Sequence, residues 1–266
     1  MKIVQYPKFS KSKLKNFVIA GDWHSFSMNE PSYNVLKSVL KDLKNPTLII
    51  NGDFLDVPYF MFKKPNFKRW HKRGFEGVEE YFIPKVDEEC FWGNVILDEL
   101  ESLTSDIILI LGNHDWRIDH YGHEFAPIAY RHYFNISDRL NLKKRKIRLV
   151  GYNNWLDINN VSITHGQFHG TSSHKKHYEA CGGRTVIFSH VHSYELKAFQ
   201  VRGNTRTSLS LPAMCDLNPE YMKNTDNNWS NGFGVLSFYK GNFNINVLNV
   251  WNGRCITPLG KIYEGF

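Results

Sequence analysis

Seven side chains stand at spacings that suit metal chemistry. Asp22 and His24 are separated by one residue, His190 and His192 repeat that spacing, and Asp53, Asn113 and His165 each sit in a short polar turn. The donors are imidazole nitrogens, carboxylates and an amide oxygen, with no thiolate. A mixed nitrogen and oxygen set suits divalent manganese, iron or zinc and does not choose among them. On an extended strand end residues i and i+2 face one side, so each spaced pair can serve one centre. Taken singly, each cluster also has a bland reading. Asp and Asn are common turn and cap residues, and a histidine after an apolar strand is ordinarily a hydrogen-bonded structural group. Five clusters, each behind its own apolar run, argue against coincidence.

Those runs are the elements that must position the donors. Phe17 to Ala20 leads into Gly21-Asp22-Trp23-His24, Leu48 to Ile50 into Asn51-Gly52-Asp53, and Ile107 to Leu111 into Gly112-Asn113-His114-Asp115. Val161 to Thr164 leads into His165-Gly166, and Thr185 to Phe188 into Ser189-His190-Val191-His192. Short apolar runs bounded by turn residues read as buried strands. Gly52 and Gly112 let the backbone turn tightly before Asp53 and Asn113. Apolar residues at i, i+3 and i+4 predict a helix over Asn34 to Leu43, and a second is expected over Asp87 to Leu103. Strand–helix–strand alternation makes the fold class α/β, with functional groups gathered beyond the carboxyl ends of the strands. After His192, Glu195 to Val201, Thr205 to Leu211, Val235 to Tyr239 and Phe243 to Val250 read as strands. They are expected to form a second, mainly antiparallel sheet packed on the first, with Lys240-Gly241-Asn242 as a hairpin turn. One domain spans 1–266, with 57–80 and 116–141 as insertions or loops.

The ordered series of five motifs resembles the calcineurin-like metallophosphoesterase superfamily, and spans Gly21 to His192. The resemblance implies a four-layer αββα sandwich, two mixed β-sheets face to face with flanking helices. It implies two divalent metal ions, manganese first, with iron, zinc or nickel as alternatives. Asp22, His24 and His192 would hold one ion, Asn113, His165 and His190 the other, and Asp53 would bridge them. His114 would be the acid for the leaving oxygen, with Asp115 orienting it. Two cations roughly 3.5–4 Å apart can clamp phosphoryl oxygens and activate the water between them for in-line attack on phosphorus, while a histidine near neutral pKa can protonate the departing alkoxide. Two positions depart from the family pattern. Val57 follows Asp56 where arginine is common, and Ser189 opens the last motif where glycine is usual. Neither removes a donor. The stretches Leu211 to Cys215 and Trp229 to Gly234 resemble, more loosely, tails of virus-encoded and bacterial metallophosphoesterases, and the loop from Asp216 to Asn231 either overhangs the site or joins two strands.

Composition bounds the rest. The chain has 266 residues, 42% hydrophobic and 15% aromatic, enough for a sizeable core. Its net charge of +7 favours acidic partners, nucleic acid and nucleotides among them, or is ordinary solubility charge. Cys90, Cys181, Cys215 and Cys255 are scattered with no paired spacing, which disfavours a thiolate zinc site. With no leader pattern and no long apolar run, a cytoplasmic protein with no membrane partner is expected.

The resemblance implies a phosphate ester as substrate, with nucleic acid or a nucleotide cut by a phosphodiesterase or nuclease as the first reading. A phosphomonoesterase acting on a phosphoprotein or small metabolite is the alternative, and a metal-bearing binding module without turnover is the third. Basic residues alternate with rings in the first insertion, where Lys68, Arg69 and Trp70 are candidates to grip phosphates and stack on bases. The bland reading is a surface loop packed down by its aromatics. His169 is close enough in sequence to His165 to be a further substrate contact. His71, His120, His123 and His132 read as surface or loop residues.

Overall fold

The computed structural model describes residues 2–201, 203–219 and 226–266. Among the described residues, fourteen strands run in chain order: β1 (Ile3–Gln5), β2 (Lys15–Ala20), β3 (Thr47–Asn51), β4 (Asp106–Ile110), β5 (Arg148–Val150), β6 (Trp155–Ile158), β7 (Val161–Thr164), β8 (Thr185–Phe188), β9 (Glu195–Val201), β10 (Asn204–Ser210), β11 (Asn231–Tyr239), β12 (Asn242–Val250), β13 (Arg254–Ile256) and β14 (Ile262–Glu264). One six-stranded sheet has the order β12-β11-β2-β3-β4-β5, the other β1-β6-β7-β8-β10-β9, and β13 and β14 form a small hairpin.

The strands after His192 do not form a sheet of their own. β9 and β10 extend the sheet that holds β7 and β8, whereas β11 and β12 pair through β11 with β2. Both large sheets are therefore mixed: β2, β3, β4 and β5 run parallel in one with β11 antiparallel to β2, and β7, β8 and β10 run parallel in the other with β6 and β9 antiparallel to them. The five motif strands are divided between them, β2, β3 and β4 in one and β7 and β8 in the other.

Alternation explains why the motif strands read as continuous apolar runs. From β2, β3 and β4, Phe17, Ile19, Ile49, Ile108 and Ile110 face inward and meet Leu156, Ile163, Ile187 and Leu209 of the opposite sheet. Their neighbours Val18, Ala20, Leu48, Ile50 and Leu109 face outward under the helices. Both faces are thus dry, which neither a half-exposed sheet nor a polar strand edge would permit. Each fully buried aliphatic side chain contributes about 1.5–3 kcal/mol. On the far side of the second sheet, Trp155, Cys181 and Val186 cluster under the Ser173–Ala180 helix. Two sheets face to face with helices on both outer surfaces make a four-layer αββα sandwich.

The first helix covers Glu30–Asp42, four residues earlier than periodicity suggested, because the Asn29 side chain caps it by accepting from Ser32 N at 3.0 Å. The second covers Ile83–Glu101, also four residues early, growing directly out of a π turn over Val78–Phe82. The stretches 57–80 and 116–141 are largely helical rather than loops, with a 3-10 turn at Pro58–Phe60, a helix at Pro65–His71, and Asn113–Glu124 running through the start of the second. They are held by a cluster of rings: Phe60 stacks on Tyr121 at 4.6 Å and on Phe82 at 5.5 Å, with Phe67 and Phe134 at its edges. Among the described residues no helix is long and apolar enough to cross a membrane.

Candidate metal centre

All seven candidate donors lie just past the carboxyl end of a strand, and the two sheets bring them together across one seam. Asp22 and His24 follow β2, Asp53 follows β3, Asn113 follows β4, His165 follows β7, and His190 and His192 follow β8. Asn51, at the end of β3, fastens the seam by donating from Nδ2 to Thr164 O at 3.0 Å and to Ser189 Oγ at 2.9 Å. Ser189, the departure from the family pattern, thus takes part in the tie. Its Oγ fills the space a Cβ on Gly21 would enter, at 2.2 Å, so position 21 admits only glycine. The spaced pairs are not extended, as the spacing had suggested. Asp22, His24, Asp53, His190 and His192 have φ of 54°, 47°, 48°, 73° and 58°. This left-handed backbone costs an ordinary L-residue about 1–2 kcal/mol, and Asp and His are among the types that tolerate it.

The side chains are arranged as ligands. His165 donates from Nδ1 to Asn51 O at 2.9 Å, which leaves Nε2 at 3.3 Å from Asp53 Oδ2 and 3.2 Å from Asn113 Oδ1. His192 has Nδ1 3.8 Å from Cys215 Sγ and Nε2 3.4 Å from Asp22 Oδ1. His24 has Nδ1 3.0 Å from Asp56 Oδ1, while Nε2 lies 4.0 Å from Asp53 Oδ2. In each ring one nitrogen is held against the protein, and the other faces a buried carboxylate, as metal-ligating histidines are ordinarily held. The fit is tested by one atom: His24 Nε2 is buried with no hydrogen-bond partner among the described residues, a state a neutral structural histidine avoids. Asp53, His165 and His190 present ligand atoms within 4.8 Å of one another, as do Asp22, His24 and Asp53. These His and Asp groups could hold divalent metal.

Electrostatics agree. Burial penalises the Asp53 and Asp22 carboxylates, yet the surrounding imidazoles hold both below the usual carboxylate range. Burial likewise works against a charged His165, but Asp53 and Asp22 outweigh it and lift the ring to about 9. For His190, burial and the neighbouring His165 win, and its pKa falls to about 4. Two fully buried carboxylates thus draw positive charge from the rings around them, a demand that divalent cations meet more strongly.

His114 lies beside the cluster, its ring 4.6 Å from that of His24 and its backbone N–H donating to Asp53 Oδ1 at 2.8 Å. Asp115 is not what orients it. Both Asp115 oxygens are taken by backbone amides, of Leu55 at 2.8 Å and Gly112 at 2.9 Å, so this carboxylate caps the Asn113–Glu124 helix and ties it to the Asp53 loop. The group that holds His114 is Asp56, whose carbonyl and Oδ1 lie 2.6 and 3.1 Å from His114 Nδ1. Burial disfavours the charged His114 ring, but Asp53 and Asp56 prevail and raise its pKa. Arg117 brings Nη1 to 3.1 Å from the same nitrogen, so a guanidinium reaches the site one helical turn on from Asn113 although Val57 replaces the expected arginine. Asp56 was visible inside the second motif and Arg117 in its spacing from His114; neither signal separates such a residue from ordinary turn and helix chemistry.

The substrate candidates fare differently. His169 is exposed, its ring 6.2 Å from that of His190. Lys68 and Arg69 are exposed on the Pro65–His71 helix. Trp70 is not a free stacking platform: Tyr81 lies parallel to it at 4.8 Å and Arg73 sits over its ring at 4.5 Å. Of the Asp216–Asn231 loop, 220–225 lies outside the described residues, but its far end brings Trp229 to 4.2 Å from the His192 ring.

A two-sheet sandwich with helices outside, carrying histidines and carboxylates at the facing strand ends, defines a metallophosphoesterase-type scaffold. Residues 15–194 match the family model for calcineurin-like phosphoesterases. The chain belongs to that family. Among solved structures it is similar to vacuolar protein sorting 29 from Cryptosporidium parvum, at 11% identity and a TM-score of 0.50 over 94% of this chain and 98% of that one. Zinc-complexed wild-type Vps29 from Entamoeba histolytica is 12% identical, with a TM-score of 0.49 over 94% of this chain and 99% of that one. At such identities the likeness is one of fold. No curated protein matches the chain.

Proposed function

We propose that the chain is a dinuclear-metal-dependent phosphoesterase acting on a phosphodiester of nucleic acid or a nucleotide. Asp22, His24 and His192 hold one cation, Asn113, His165 and His190 the other, and Asp53 both, with manganese the first ion to test. A bound pair of cations supplies charge for the phosphoryl oxygens and activates water for attack on phosphorus. The chain's own residues do the rest. Asp56 fixes His114 through Nδ1, which leaves Nε2 to deliver a proton to the leaving oxygen. Asp53 and Asp56 keep that ring protonated to higher pH than a free imidazole, and Asp115 holds the helix that carries it. The observation that carries the reading is the buried His24 Nε2, without a hydrogen-bond partner among the described residues, in a set of rings whose other nitrogens are restrained. The excess of basic residues favours a polyanionic substrate.

The test is turnover by manganese-loaded protein of bis(p-nitrophenyl) phosphate and p-nitrophenyl phosphate, beside single-stranded and duplex DNA. Hydrolysis of the diester and of DNA is expected, with two metal ions per chain. Turnover of the monoester alone moves the substrate to the phosphomonoester class. Turnover of none refutes the enzyme reading and leaves a metal-bearing binding module.

A further inference from the structure

Beside the metal centre is a cavity of about 780 Å3 that phosphoryl chemistry alone does not require. Asp56, the residue that holds His114, forms its inner wall. From there it opens between the Pro58–Phe60 turn, the Pro65–His71 helix and the Ile83–Glu101 helix. Phe26, Tyr59, Phe67 and Tyr81 supply ring surface, and exposed Lys64 supplies a cation.

Two features mark it as built for a ligand. Tyr59 is only 8% exposed, yet its hydroxyl has no hydrogen-bond partner among the described residues. The Tyr59 side chain lines the cavity, and its enclosed hydroxyl is a hydrogen-bonding group that the described residues leave unused. Phe26 is 51% exposed, a large ring left facing solvent next to His24 and Asp56. The loop that carries Asp56 is itself firm, since the buried Glu89 accepts from Asp56 N and from the Ser25 hydroxyl, both at 2.7 Å.

We propose that this cavity is the subsite for the leaving-group side of the substrate and receives a nucleobase whose phosphate lies on the histidine–carboxylate cluster. The direction rests on the phosphoesterase reading: Asp56, which holds the His114 ring, lines the cavity, so the oxygen that takes the proton departs toward it. The base rests on the walls. Aromatic side chains stack on any base, and cations among them meet the neighbouring phosphates. The volume lies within the roughly 300–1,000 Å3 of small-ligand sites. A turn of the Tyr59 ring toward the cavity brings its hydroxyl to the base edge as one directional contact, which an acyl chain or a bare methyl leaving group would leave unused.

The experiment separates the subsite from the reaction. Chelator-treated protein is titrated with adenosine and with thymidine, followed by ligand-observed NMR, with ribose as the control. Both nucleosides should bind in the millimolar range and ribose should not. Tyr59→Phe should weaken binding about 3- to 10-fold, the loss of one hydrogen bond, while leaving the melting temperature unchanged or raised, because it removes an unpaired buried hydroxyl. Phe26→Ala, a change at an exposed position, should weaken binding further in a folded protein. Nucleosides that fail to bind, or that bind both variants as they bind the parent, overturn the subsite. If manganese-loaded protein then still turns over bis(p-nitrophenyl) phosphate, the subsite alone has failed. Nucleoside binding that responds to both variants, in a protein without turnover, establishes the base site and sinks the reaction.

Discussion

Protonating His177 should destabilise the chain from the acid side, and its surroundings set the size of the effect. The ring is fully buried and stacks on Phe188 at 4.0 Å. Nδ1 donates to Ser173 O at 2.9 Å, and Nε2 accepts from Gln167 N at 3.2 Å. A second proton would set one N–H against another. Burial, with the histidines around it, pulls the pKa from its ordinary 6.5 down to about 3. The unfolded chain therefore binds a proton across a window in which the folded chain does not. The stabilisation is complete above the ordinary value and is lost as pH falls toward the folded one. Each pH unit inside that window is worth about 1.36 kcal/mol, so at about pH 5 the loss is roughly 2 kcal/mol. In a chain of this size that lowers the melting temperature by about 4–8 °C. The comparison is with His177→Phe, which keeps a ring on Phe188 but cannot titrate. Both proteins are melted in chelator, followed by circular dichroism, at about pH 7.5 and about pH 5. The variant is less stable at the higher pH, having lost two hydrogen bonds, and the gap should close by about 2 kcal/mol at the lower one. A gap that does not change with pH refutes the assignment of a neutral, acceptor Nε2.

Further predictions concern the centre. Asp53→Asn should abolish hydrolysis and lower the occupancy of both ions, read by elemental analysis; full occupancy by two ions contradicts the shared carboxylate. His114→Ala should keep its metal and lose about 10²- to 10⁴-fold in rate, the usual worth of a positioned acid. Asp56→Asn removes a group that raises the His114 pKa, so the alkaline limb of the rate profile, where the acid loses its proton, should move to lower pH. An unmoved limb removes Asp56 from the role of positioning residue. Gly112→Ala would place a Cβ 2.1 Å from Asp53 Oδ1 and 2.3 Å from Asp53 N, so the Asp53 loop must shift, and both metal occupancy and the melting temperature in chelator should fall.

Much of this centre was legible because its signals are local. A strand buried on both faces is a short unbroken apolar run, and a donor that must follow it closely sits in the next turn; β2, β3, β4, β7 and β8 all obey this. What could not be read was which sheet each strand would join. β11 pairs with β2 across more than two hundred residues of sequence, and β10 with β8, and nothing in the alternation of Val235 to Tyr239 distinguishes those partners. The stretch 57–80 looked like a loop because its rings have no clean period. The regularity is supplied by tertiary contact: Phe60 and Phe67 pack on Tyr121, Phe82 and Phe134, residues the sequence places far away. Asp115 misled for a similar reason. Adjacent to His114 in sequence, it has both oxygens taken by the Leu55 and Gly112 amides, and the carboxylate three residues after Asp53 is the one that reaches the ring.

The left-handed ligands explain why the spacing of two works without an extended strand. Between Asp22 and His24, Trp23 turns the other way, fully buried and donating from its indole to Ala20 O at 2.8 Å. The two donors therefore face the centre from a tight turn locked by a large side chain beneath it. Backbone N–H groups of Trp23 and His24 both donate to Asp53 O, at 2.9 and 2.8 Å, so one ligand loop is fastened to the next. Across the seam, His190 N donates to Asp22 Oδ2 at 2.9 Å. Five residues held in left-handed backbone together cost on the order of 5–10 kcal/mol, comparable with the stability of a whole domain. Such strain persists only where the surroundings over-determine it, and here the determinants come from both sheets. It follows that the donor geometry forms with the packing of the two sheets and not strand by strand. Loosening the Asn51 tie should therefore disperse the donors before it melts either sheet.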